Sequence, residues 1–301
     1  MNHVKIALIG FGEAARAFAS GWTRFDGATL AAYDVKLDSG VAEDVLSASS
    51  KLGVEMSGSS TQALADATIV FSLVTADQAV TAAIDTARWI EADALYLDCN
   101  SCSPAAKVLA SRAINAAGGR YVDVAVMSPV HPARHLTPLL VSSPYAEEGI
   151  AVLERLGMRP KLAGHRIGQA SSIKMLRSVM VKGMEALTAE AMLAARRAGV
   201  EDAVIASLQA SDPGMDWAKR SSYNLERMMV HGARRAAEMR EVAATLRELG
   251  LPDRLSLAIA DWQDEIASLS AAPGGDTLAA RADTILQGLD GAKDRANATG
   301  K

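Results

Sequence analysis

Two glycines near the start of the chain are the residues whose spacing points most directly to a chemistry. An apolar run over residues 4–9 leads into Gly10-Phe11-Gly12-Glu13-Ala14-Ala15. A strand that ends in G-x-G-x-x-A and continues as a helix is typical of dinucleotide binding. Gly10 permits a sharp turn, Gly12 lets a pyrophosphate approach the backbone, and Ala15 lets the helix pack closely on the strand. The helix N-terminus favours negative charge, so we expect residues 10–14 to contact the cofactor; an ordinary glycine turn is the alternative.

An acidic residue follows at the distance that this fingerprint requires. A second strand-like run over residues 29–33 ends in Asp34, which lies 24 positions after Gly10. An acid about 20 residues after the glycines binds the ribose hydroxyls of the adenosine. The Asp34 carboxylate would repel a 2′-phosphate, which favours NAD over NADP, although Lys36, a further predicted cofactor contact, weakens this preference. The alternative for Asp34 is a turn residue that ends the strand.

The composition limits the classes of protein that the chain can represent. It has 301 residues, 50% of them hydrophobic, and a formal net charge of −4. The length predicts about two domains, and the negative charge argues against nucleic acid as a partner. No apolar run approaches the roughly 18 residues of a membrane span, and a strand-like start interrupted by glycines is not a signal peptide. We therefore expect no membrane partner and a cytoplasmic location.

The cysteines and histidines do not form a metal site by their spacing. Cys99 and Cys102 make a C-x-x-C, but the second pair that zinc would require is missing. A redox role for the two thiols is the less favoured interpretation. His131 and His135 are four positions apart, but neighbouring prolines predict a loop there and not a helix face. We therefore expect no metal.

The first half of the chain alternates strand-like and helix-like segments. Further strand-like runs cover residues 67–74, 94–98, 121–126 and 139–142. The run over 67–74 is apolar without regular alternation, as expected for a strand that is covered on both faces. This βαβ pattern predicts an α/β fold, with a Rossmann-type, doubly wound and mostly parallel sheet over residues 1–165. Val74 and Thr75, at the end of the third predicted strand, are predicted cofactor contacts.

The pattern changes near residue 165, after which almost no strand signal remains. Helical runs separated by Gly or Pro cover residues 170–198, 201–211, 216–248, 252–269 and 276–293. Their apolar residues recur at helical spacing. The sequence therefore predicts an all-helical second domain over residues 166–301, which begins with a long helix between the domains.

With these segments in view, the chain resembles the β-hydroxyacid dehydrogenase superfamily, which includes 3-hydroxyisobutyrate dehydrogenases and 6-phosphogluconate dehydrogenase. The resemblance extends over nearly the whole chain and has three further anchors. Residues 98–104 are similar to the family's D-x-S-[ST]-x-x-P, residues 168–178 to G-x-G-x-x-x-K-x-x-x-N, and residues 185–199 to A-E-x-x-x-L-A-x-x-x-G.

The first of these anchors implies contacts with the nicotinamide and the substrate. Asn100 stands where the family usually has Ser, and Ser101 matches the motif. An Asn side chain can both donate and accept hydrogen bonds, so a polar role survives the replacement. Asn100 is thus predicted to contact cofactor and substrate, and Ser101 to contact substrate. A strand-to-helix loop with Asn and Ser as caps is the alternative.

The second anchor implies the proton-transfer residue. The motif's lysine is the family's general acid/base, and it corresponds to Lys174. Lys174 and Ser178 are four positions apart and share one helical face. Apolar neighbours at Ile173 and Met175 would desolvate Lys174, and desolvation lowers a lysine pKa towards neutrality. A solvated helix lysine is the alternative.

The chain departs from the family at the substrate end. Family members that act on simple hydroxy acids have D-A-P-V-S-G-G where residues 123–129 read D-V-A-V-M-S-P. The two glycines are replaced by Ser128 and by Pro129, which has no N–H to donate, and Ser178 replaces the motif's Asn. Met127, Ser128 and Ser178 are predicted substrate contacts, but a simple 3-hydroxy acid is disfavoured. This end is similar to a less studied subgroup of phosphogluconate dehydrogenase-like NAD-binding proteins with a divergent C-terminal domain.

The C-terminal half supplies two further predicted contacts. The family has a cofactor-contacting lysine upstream of a proline, and the position 17 residues before Pro252 is Arg235. His231, four positions earlier on the same helical face, is a predicted substrate contact. A solvated face of charged residues is the alternative for both. Frequent methionines in the second half favour an apolar or aromatic group on the substrate, unless they are core residues; seven of them are Met175, Met180, Met184, Met192, Met228, Met229 and Met239.

The sequence therefore predicts an oxidoreductase that uses NAD, with NADP as the alternative cofactor. Hydride would move between the nicotinamide and the carbinol carbon of a hydroxy acid or of another alcohol, with Lys174 transferring the proton. The resemblance also implies a small-molecule substrate and a homodimer formed through the helical domain. Imine reduction and a non-catalytic NAD-sensing protein are the alternatives, and Lys174 argues against both.

Overall fold

The structure, a computed structural model, describes residues 4–22, 27–38 and 42–298. The chain separates into two compact units, an N-terminal unit of residues 1–175 and a helical unit of residues 176–301. The division lies inside one long helix, Gln169–Arg197. The boundary predicted from the sequence, after residue 165, lies in the turn before that helix.

The N-terminal unit consists of strands and helices in alternation. Within its described residues the strands are β1 (Val4–Ile9), β2 (Ala28–Tyr33), β3 (Glu55–Met56), β4 (Ile69–Ser72), β5 (Leu95–Asp98), β6 (Arg120–Val126), β7 (Pro138–Ser142) and β8 (Arg159–Gly164). The helices are α1 (Glu13–Trp22), α2 (Ala42–Leu52), α3 (Ser60–Leu64), α4 (Ala79–Ala87), α5 (Pro104–Ala116) and α6 (Ala146–Arg155), and α7 (Gln169–Arg197) begins in this unit.

All eight strands form one sheet in the order β3-β2-β1-β4-β5-β6-β7-β8. Neighbouring strands are parallel except for β6 and β7, which are antiparallel. The strand order reverses between β1 and β4, because the chain runs outwards from β1 to β3 and then returns to the other side of β1. In such sheets a crevice opens at the carboxyl ends of the two strands beside the reversal, and ligands bind there.

Apolar residues on both faces of the sheet explain why these segments fold as central strands. Successive side chains of a strand point to opposite faces. In β1, Ile6 and Leu8 belong to one buried cluster, whereas Ala7 and Ile9 belong to another. Helices cover both faces, and the central strands are therefore apolar without alternation.

The helical unit continues α7 and adds α8 (Glu201–Ser211), α9 (Trp217–Glu248), α10 (Arg254–Ser268) and α11 (Leu278–Ala298). Its core includes Leu225 and Met228 of α9 together with Ile266 of α10. Gly232 lets α9 and α10 approach closely, since a Cβ at this position would lie 2.4 Å from the carbonyl oxygen of Gln263. Each predicted helical run of this half corresponds to one of these helices.

The predicted fold class is confirmed: an α/β sheet that is mostly parallel precedes an all-helical region. Two strands were not predicted, the two-residue β3 and the edge strand β8. Within the described residues, no helix has both the length and the mean hydropathy that a membrane span would need. The cytoplasmic location stays a prediction.

Candidate active site

The glycine loop after β1 gives its two glycines different tasks. Gly10 has a φ of +90°, and a Cβ there would lie 2.7 Å from the carbonyl oxygen of Leu73, which follows β4. Only glycine fits this position, because both the backbone angle and the close approach exclude a side chain. Gly12 is different, since a Cβ at this position would meet no atom of the described residues within 4 Å. The backbone at Gly12 is therefore bare on an open side, as the approach of a pyrophosphate requires.

The start of α1 provides donors for that pyrophosphate. The N–H of Arg16 donates to the carbonyl of Gly12 at 3.0 Å, which is the first hydrogen bond of the helix. The amides of Glu13, Ala14 and Ala15 therefore have no partner within the helix. Glu13 is exposed and Ala14 half-buried. These residues fit a bound dinucleotide, because helix N-terminal amides and the helix dipole favour an anion.

Asp34 ties the end of β2 to the glycine loop. Its Oδ2 accepts the N–H of Phe11 at 2.7 Å, and its Oδ1 accepts the N–H of Lys36 at 2.9 Å. Each carboxylate oxygen has a second lone pair and can still accept from a ribose hydroxyl. Phe11 has a structural role in this arrangement, since its ring is fully buried and its carbonyl accepts Nε of Arg16 at 3.0 Å. The Lys36 side chain is exposed beside Asp34.

Asn100 joins the carboxyl ends of β4 and β5. Its Oδ1 accepts the N–H of Val74 at 2.7 Å, and its Nδ2 donates to Oγ of Ser72 at 2.9 Å. Its own N–H donates to Oδ1 of Asp98 at 2.9 Å. Asn100 is 3% exposed, so the structure makes it a residue that positions the loop; the predicted contacts with cofactor and substrate stay predictions. Thr75, next to Val74, is exposed.

A buried ionic cluster lies beneath the loop after β5. Lys107 of α5, Asp98 of β5 and Asp123 of β6 are all fully buried, and the two aspartates face each other across the parallel strands. Lys107 Nζ donates to Oδ1 of Asp98 at 2.8 Å and lies 3.5 Å from Oδ1 of Asp123. Burial alone would lower the pKa of the Lys107 ammonium, but the Asp98 carboxylate and, more weakly, Cys102 and Asp123 hold it well above its usual value. Lys107 is therefore a charged residue in the core.

The same cluster anchors the beginning of α7. Asp123 Oδ2 accepts the N–H groups of Gly168 and Ser171, each at 3.2 Å, and Asp123 Oδ1 accepts Oγ–H of Ser171 at 2.7 Å. A carboxylate at a helix N-terminus both satisfies unpaired amides and interacts favourably with the helix dipole. Asp123 therefore determines where the first turn of α7 lies, and with it the position of Lys174.

Lys174 contacts Ser101 at the carboxyl ends of the parallel strands. The half-buried Lys174 Nζ donates a hydrogen bond to Oγ of Ser101, in the loop after β5. The two predicted residues are brought together although 73 positions separate them. An amine and a hydroxyl in contact are the parts that a proton transfer to or from a substrate oxygen needs.

The predicted substrate contacts after β6 lie at the end of that strand. Met127 is half-buried, and its N–H donates to the carbonyl of Pro138 at 2.9 Å. Ser128 is exposed, with its Oγ 3.4 Å from the carbonyl of Pro129. Both residues belong to the N-terminal unit, and their predicted roles stay predictions.

The three predicted site residues of the helical unit have protein partners or neighbours of their own. Ser178 is buried, and its Oγ accepts from Nζ of Lys182 at 3.1 Å. Arg235 is 8% exposed and forms an ion pair with Glu185 at 2.8 Å, so it is not part of a solvated face. His231 is half-buried. For Arg235, a contact with the cofactor would compete with this buried pair.

Several of the methionines and both cysteines are buried core residues. Four of these seven named methionines are at most 2% exposed and fill the core, namely Met175, Met192, Met228 and Met239. They therefore do not support an apolar or aromatic substrate. Cys99 and Cys102 are buried and not joined by a disulfide, and burial raises the pKa of the Cys99 thiol to about 12.

The ionic cluster is the part of the site that sequence reasoning missed. Lys107 could have been found, because it lies on the buried face of α5 with Ala110 and Ile114 at helical spacing. A lysine on an apolar stripe requires a buried acid. The sequence does not tell which acid this is.

Comparisons with known proteins agree with this geometry. Residues 5–151 match the NAD binding domain of 6-phosphogluconate dehydrogenase, and residues 195–266 match a domain of unknown function, DUF1932. A conserved hypothetical protein from Sinorhizobium meliloti 1021 is 36% identical, with 95% of this chain and 97% of that chain covered and a TM-score of 0.75. The conserved protein MTH1747, whose structure reveals similarity with 3-hydroxyacid dehydrogenases, is 30% identical, with 89% and 100% covered and a TM-score of 0.69.

A more distant structure shares the fold. The 3-hydroxyisobutyrate dehydrogenase of Mycobacterium tuberculosis is 15% identical, with 95% of this chain and 99% of that chain covered and a TM-score of 0.73. The fold and the glycine loop define a protein with a Rossmann-type domain for a nicotinamide cofactor. The chain belongs to the β-hydroxyacid dehydrogenase superfamily, as its sequence predicted, and combines a 6-phosphogluconate dehydrogenase-like NAD(P)-binding domain with a C-terminal domain of unknown function.

Proposed function

We propose that the protein is an NAD-dependent dehydrogenase or reductase that acts on a hydroxy acid or on another small alcohol or carbonyl compound. The contact between Lys174 and Ser101 is the observation that carries this proposal. Ser101 follows β5 and the glycine loop follows β1, so both lie at the carboxyl ends of parallel strands. Family membership supports it, because relatives of this superfamily include 3-hydroxyisobutyrate dehydrogenases.

The proposed task of Lys174 is proton transfer, since the nicotinamide supplies the hydride chemistry when it is bound. During oxidation the neutral amine accepts the proton of the substrate hydroxyl, and during reduction the ammonium returns it. Ser101 would hold the substrate oxygen in line with the amine. Asp123 contributes by fixing the first turn of α7, the helix that carries Lys174 in its second turn.

NAD is the proposed cofactor because a carboxylate, Asp34, lies at the end of β2. Its Oδ2 accepts the N–H of Phe11 in the glycine loop and its Oδ1 accepts the N–H of Lys36, so a 2′-phosphate would meet a fixed negative charge. We expect Asp34→Ala to lower the preference for NAD over NADP at least tenfold. An unchanged preference in a folded variant would remove Asp34 from this role.

A homodimer formed through the helical unit is also proposed. Leu176, Met180 and Leu187 share one face of α7 and are 41%, 69% and 61% exposed. Exposed apolar stripes of this kind often mark an interface. Sedimentation analysis of the wild type and of Met180→Glu would test the dimer, because a charge in the interface should shift the equilibrium towards monomer.

The reaction is tested by following absorbance of the reduced nicotinamide over a panel of hydroxy acids and alcohols, with NAD and NADP in parallel. On a substrate so found, Lys174→Ala should lower kcat about 10²- to 10⁴-fold, the usual contribution of a positioned acid/base. The affinity for NADH should remain within a few-fold. Lys161→Ala, at an exposed lysine of β8, is the control and should behave as wild type.

Two results would contradict the proposal. If Lys174→Ala keeps more than a few per cent of the activity, another residue transfers the proton. If the wild type binds NADH tightly but turns over no member of a broad panel, a non-catalytic NAD-sensing protein becomes the better interpretation.

A further inference from the structure

The helical unit contains a cluster of buried charges that the proposed reaction does not use. Lys182 and Glu185 of α7 and Arg227 and Arg235 of α9 are each 9% exposed or less. The side chain of Glu238, also on α9, is 13% exposed. Burying so many charges is unfavourable unless each finds an opposite charge and hydrogen bonds.

Four of these five charges are paired within the unit. Arg235 binds Glu185 at 2.8 Å, and Nε2 of Gln263 donates to the same carboxylate at 3.0 Å. Lys182 binds Glu238 at 2.8 Å. Three buried cations thus share two anions, and the cation left over is Arg227.

Two N–H groups on one side of the Arg227 guanidinium, Nε and Nη2, are the groups with which arginine commonly binds anions. Within the part of the chain that the structure describes, Nε and Nη2 of Arg227 are buried and have no hydrogen-bond partner. These two N–H groups lie side by side and match two oxygens of one carboxylate or phosphate. Among the described residues, the Tyr223 ring also lies against this guanidinium, with its centroid 5.9 Å away.

Two charges of the cluster act on Arg227 from nearby, the Arg235 guanidinium and the Glu185 carboxylate that is already paired with Arg235. Nε of Arg235 is also buried without a partner among the described residues. Burial lowers the pKa of the Arg235 guanidinium, Glu185 opposes this effect, and the charge of Arg227 adds to it. An anion placed here would relieve two cations at once.

We infer that Arg227 forms the centre of a binding site for a compact oxyanion, a carboxylate or a phosphate. Its Nε and Nη2 donate to two oxygens of the ligand, and Arg235 stabilises the charge from nearby. Tyr223 and His231, one turn before and one turn after Arg227 on α9, border the site; Tyr223 is 46% exposed and His231 half-buried. The ligand enters on that side. This inference is independent of the proposed reaction, since it concerns binding by the helical unit alone.

The test is a titration of the full-length protein with sodium acetate and, separately, with sodium phosphate. Sodium chloride at the same ionic strength is the reference, and Tm and the side-chain Nε–H signals of ¹⁵N-labelled arginine are recorded. Wild type should show saturable stabilisation, and one arginine signal should shift. Tighter binding of acetate would indicate that the site takes a carboxylate, and tighter binding of phosphate that it takes a phosphate group.

Variants of Arg227 make the test specific. Arg227→Met should abolish the anion-dependent rise in Tm, and Arg227→Lys, which keeps the charge but loses the paired N–H groups, should weaken binding at least tenfold. Arg240→Met is the matched control, because Arg240 lies on the same helix with its side chain 51% exposed. It should respond to anions as the wild type does.

Three outcomes would overturn the inference. The first is an equal response to chloride, which would mean general screening. The second is an unchanged response in Arg227→Met. The third is a wild type that responds to neither anion, which would mean that water satisfies the guanidinium. If Arg227→Met fails to fold, the arginine signals of the wild type decide between these outcomes.

Discussion

Replacing Lys107 by methionine tests whether the buried cluster under the β5 loop stabilises the N-terminal unit. Methionine has nearly the same length, so the change removes the ammonium without opening a large cavity. It leaves the Asp98 and Asp123 carboxylates, which are fully buried and face each other in register, without their cation. Nζ of Lys107 also donates to the carbonyl of Asp98 at 2.7 Å, and this acceptor loses its partner as well.

The structure sets the expected size of the loss. Removing one partner of a buried ion pair costs about 3–5 kcal/mol, because the remaining charge is uncompensated. The whole free energy of unfolding of a domain is about 5–15 kcal/mol, so Lys107→Met should be close to unfolding. Lys161→Met, at an exposed lysine, should change stability by less than about 0.5 kcal/mol.

The pH dependence of this loss has a definite sign. The Asp98 carboxylate keeps the pKa of Lys107 well above its usual value despite burial. The stabilisation from a cation with a raised pKa is fully present below the unfolded-state pKa, about 10.4 for lysine, and is lost only above it. The contribution of the Lys107 charge to the stability of the wild type should therefore stay constant from about pH 6 to pH 9.

Urea unfolding, followed in parallel by circular dichroism and by tryptophan fluorescence, measures these differences. The double variant Lys107→Met with Asp98→Asn completes a mutant cycle, in which neutralising the acid should restore part of the loss. We expect a coupling of at least about 1 kcal/mol, as for residues in direct contact. A loss below about 1 kcal/mol for Lys107→Met, or strictly additive effects in the cycle, would refute the assignment.

Two further predictions concern the glycine loop and the thiols. Gly10→Ala should destabilise the unit by at least about 2 kcal/mol, since φ is +90° and Leu73 O is 2.7 Å from the new Cβ. Gly12→Ala should leave Tm nearly unchanged and still weaken NADH binding several-fold; equal losses of stability in both variants would contradict the division of tasks. Cys99 and Cys102, at 5% and 0% exposure, should not react with a thiol reagent at pH 8 in the native protein. Both should react after unfolding, and rapid native labelling would show that the loop opens.

The parts of the fold that the sequence predicted are those with a local signal. β1 and β4 are mostly apolar runs, and the helices of the second half end near glycines and prolines. β8 was missed because Arg159–Gly164 carries Arg, Pro and Lys and pairs only with β7 at the edge of the sheet. Edge strands of this kind have little apolar pattern to recognise.

The candidate site divides in the same way. The spacing of Gly10, Gly12 and Asp34 predicted the cofactor loop, because each task depends on a residue type at a fixed distance along the chain. The partners of Lys107 and of Arg235 could not be predicted, since their acids lie on other elements that only the tertiary fold brings near. For Arg235, counting back from a proline gave a role, but the count could not show the buried Glu185.

Asn100 shows how a departure from the family pattern can be explained by the structure. The position normally has Ser, whose single hydroxyl is short. Asn presents an acceptor and a donor at the end of a longer side chain, and it uses them for the N–H of Val74 and Oγ of Ser72. The neighbouring hydroxyl, Oγ of Ser101, is the one that Lys174 contacts. In this loop one residue holds β4 and β5 together and its neighbour contacts the lysine. Under the proposed mechanism, positioning and proton transfer would thus fall to different residues, and Asn100 could replace Ser at the first position while Ser101 remains at the second.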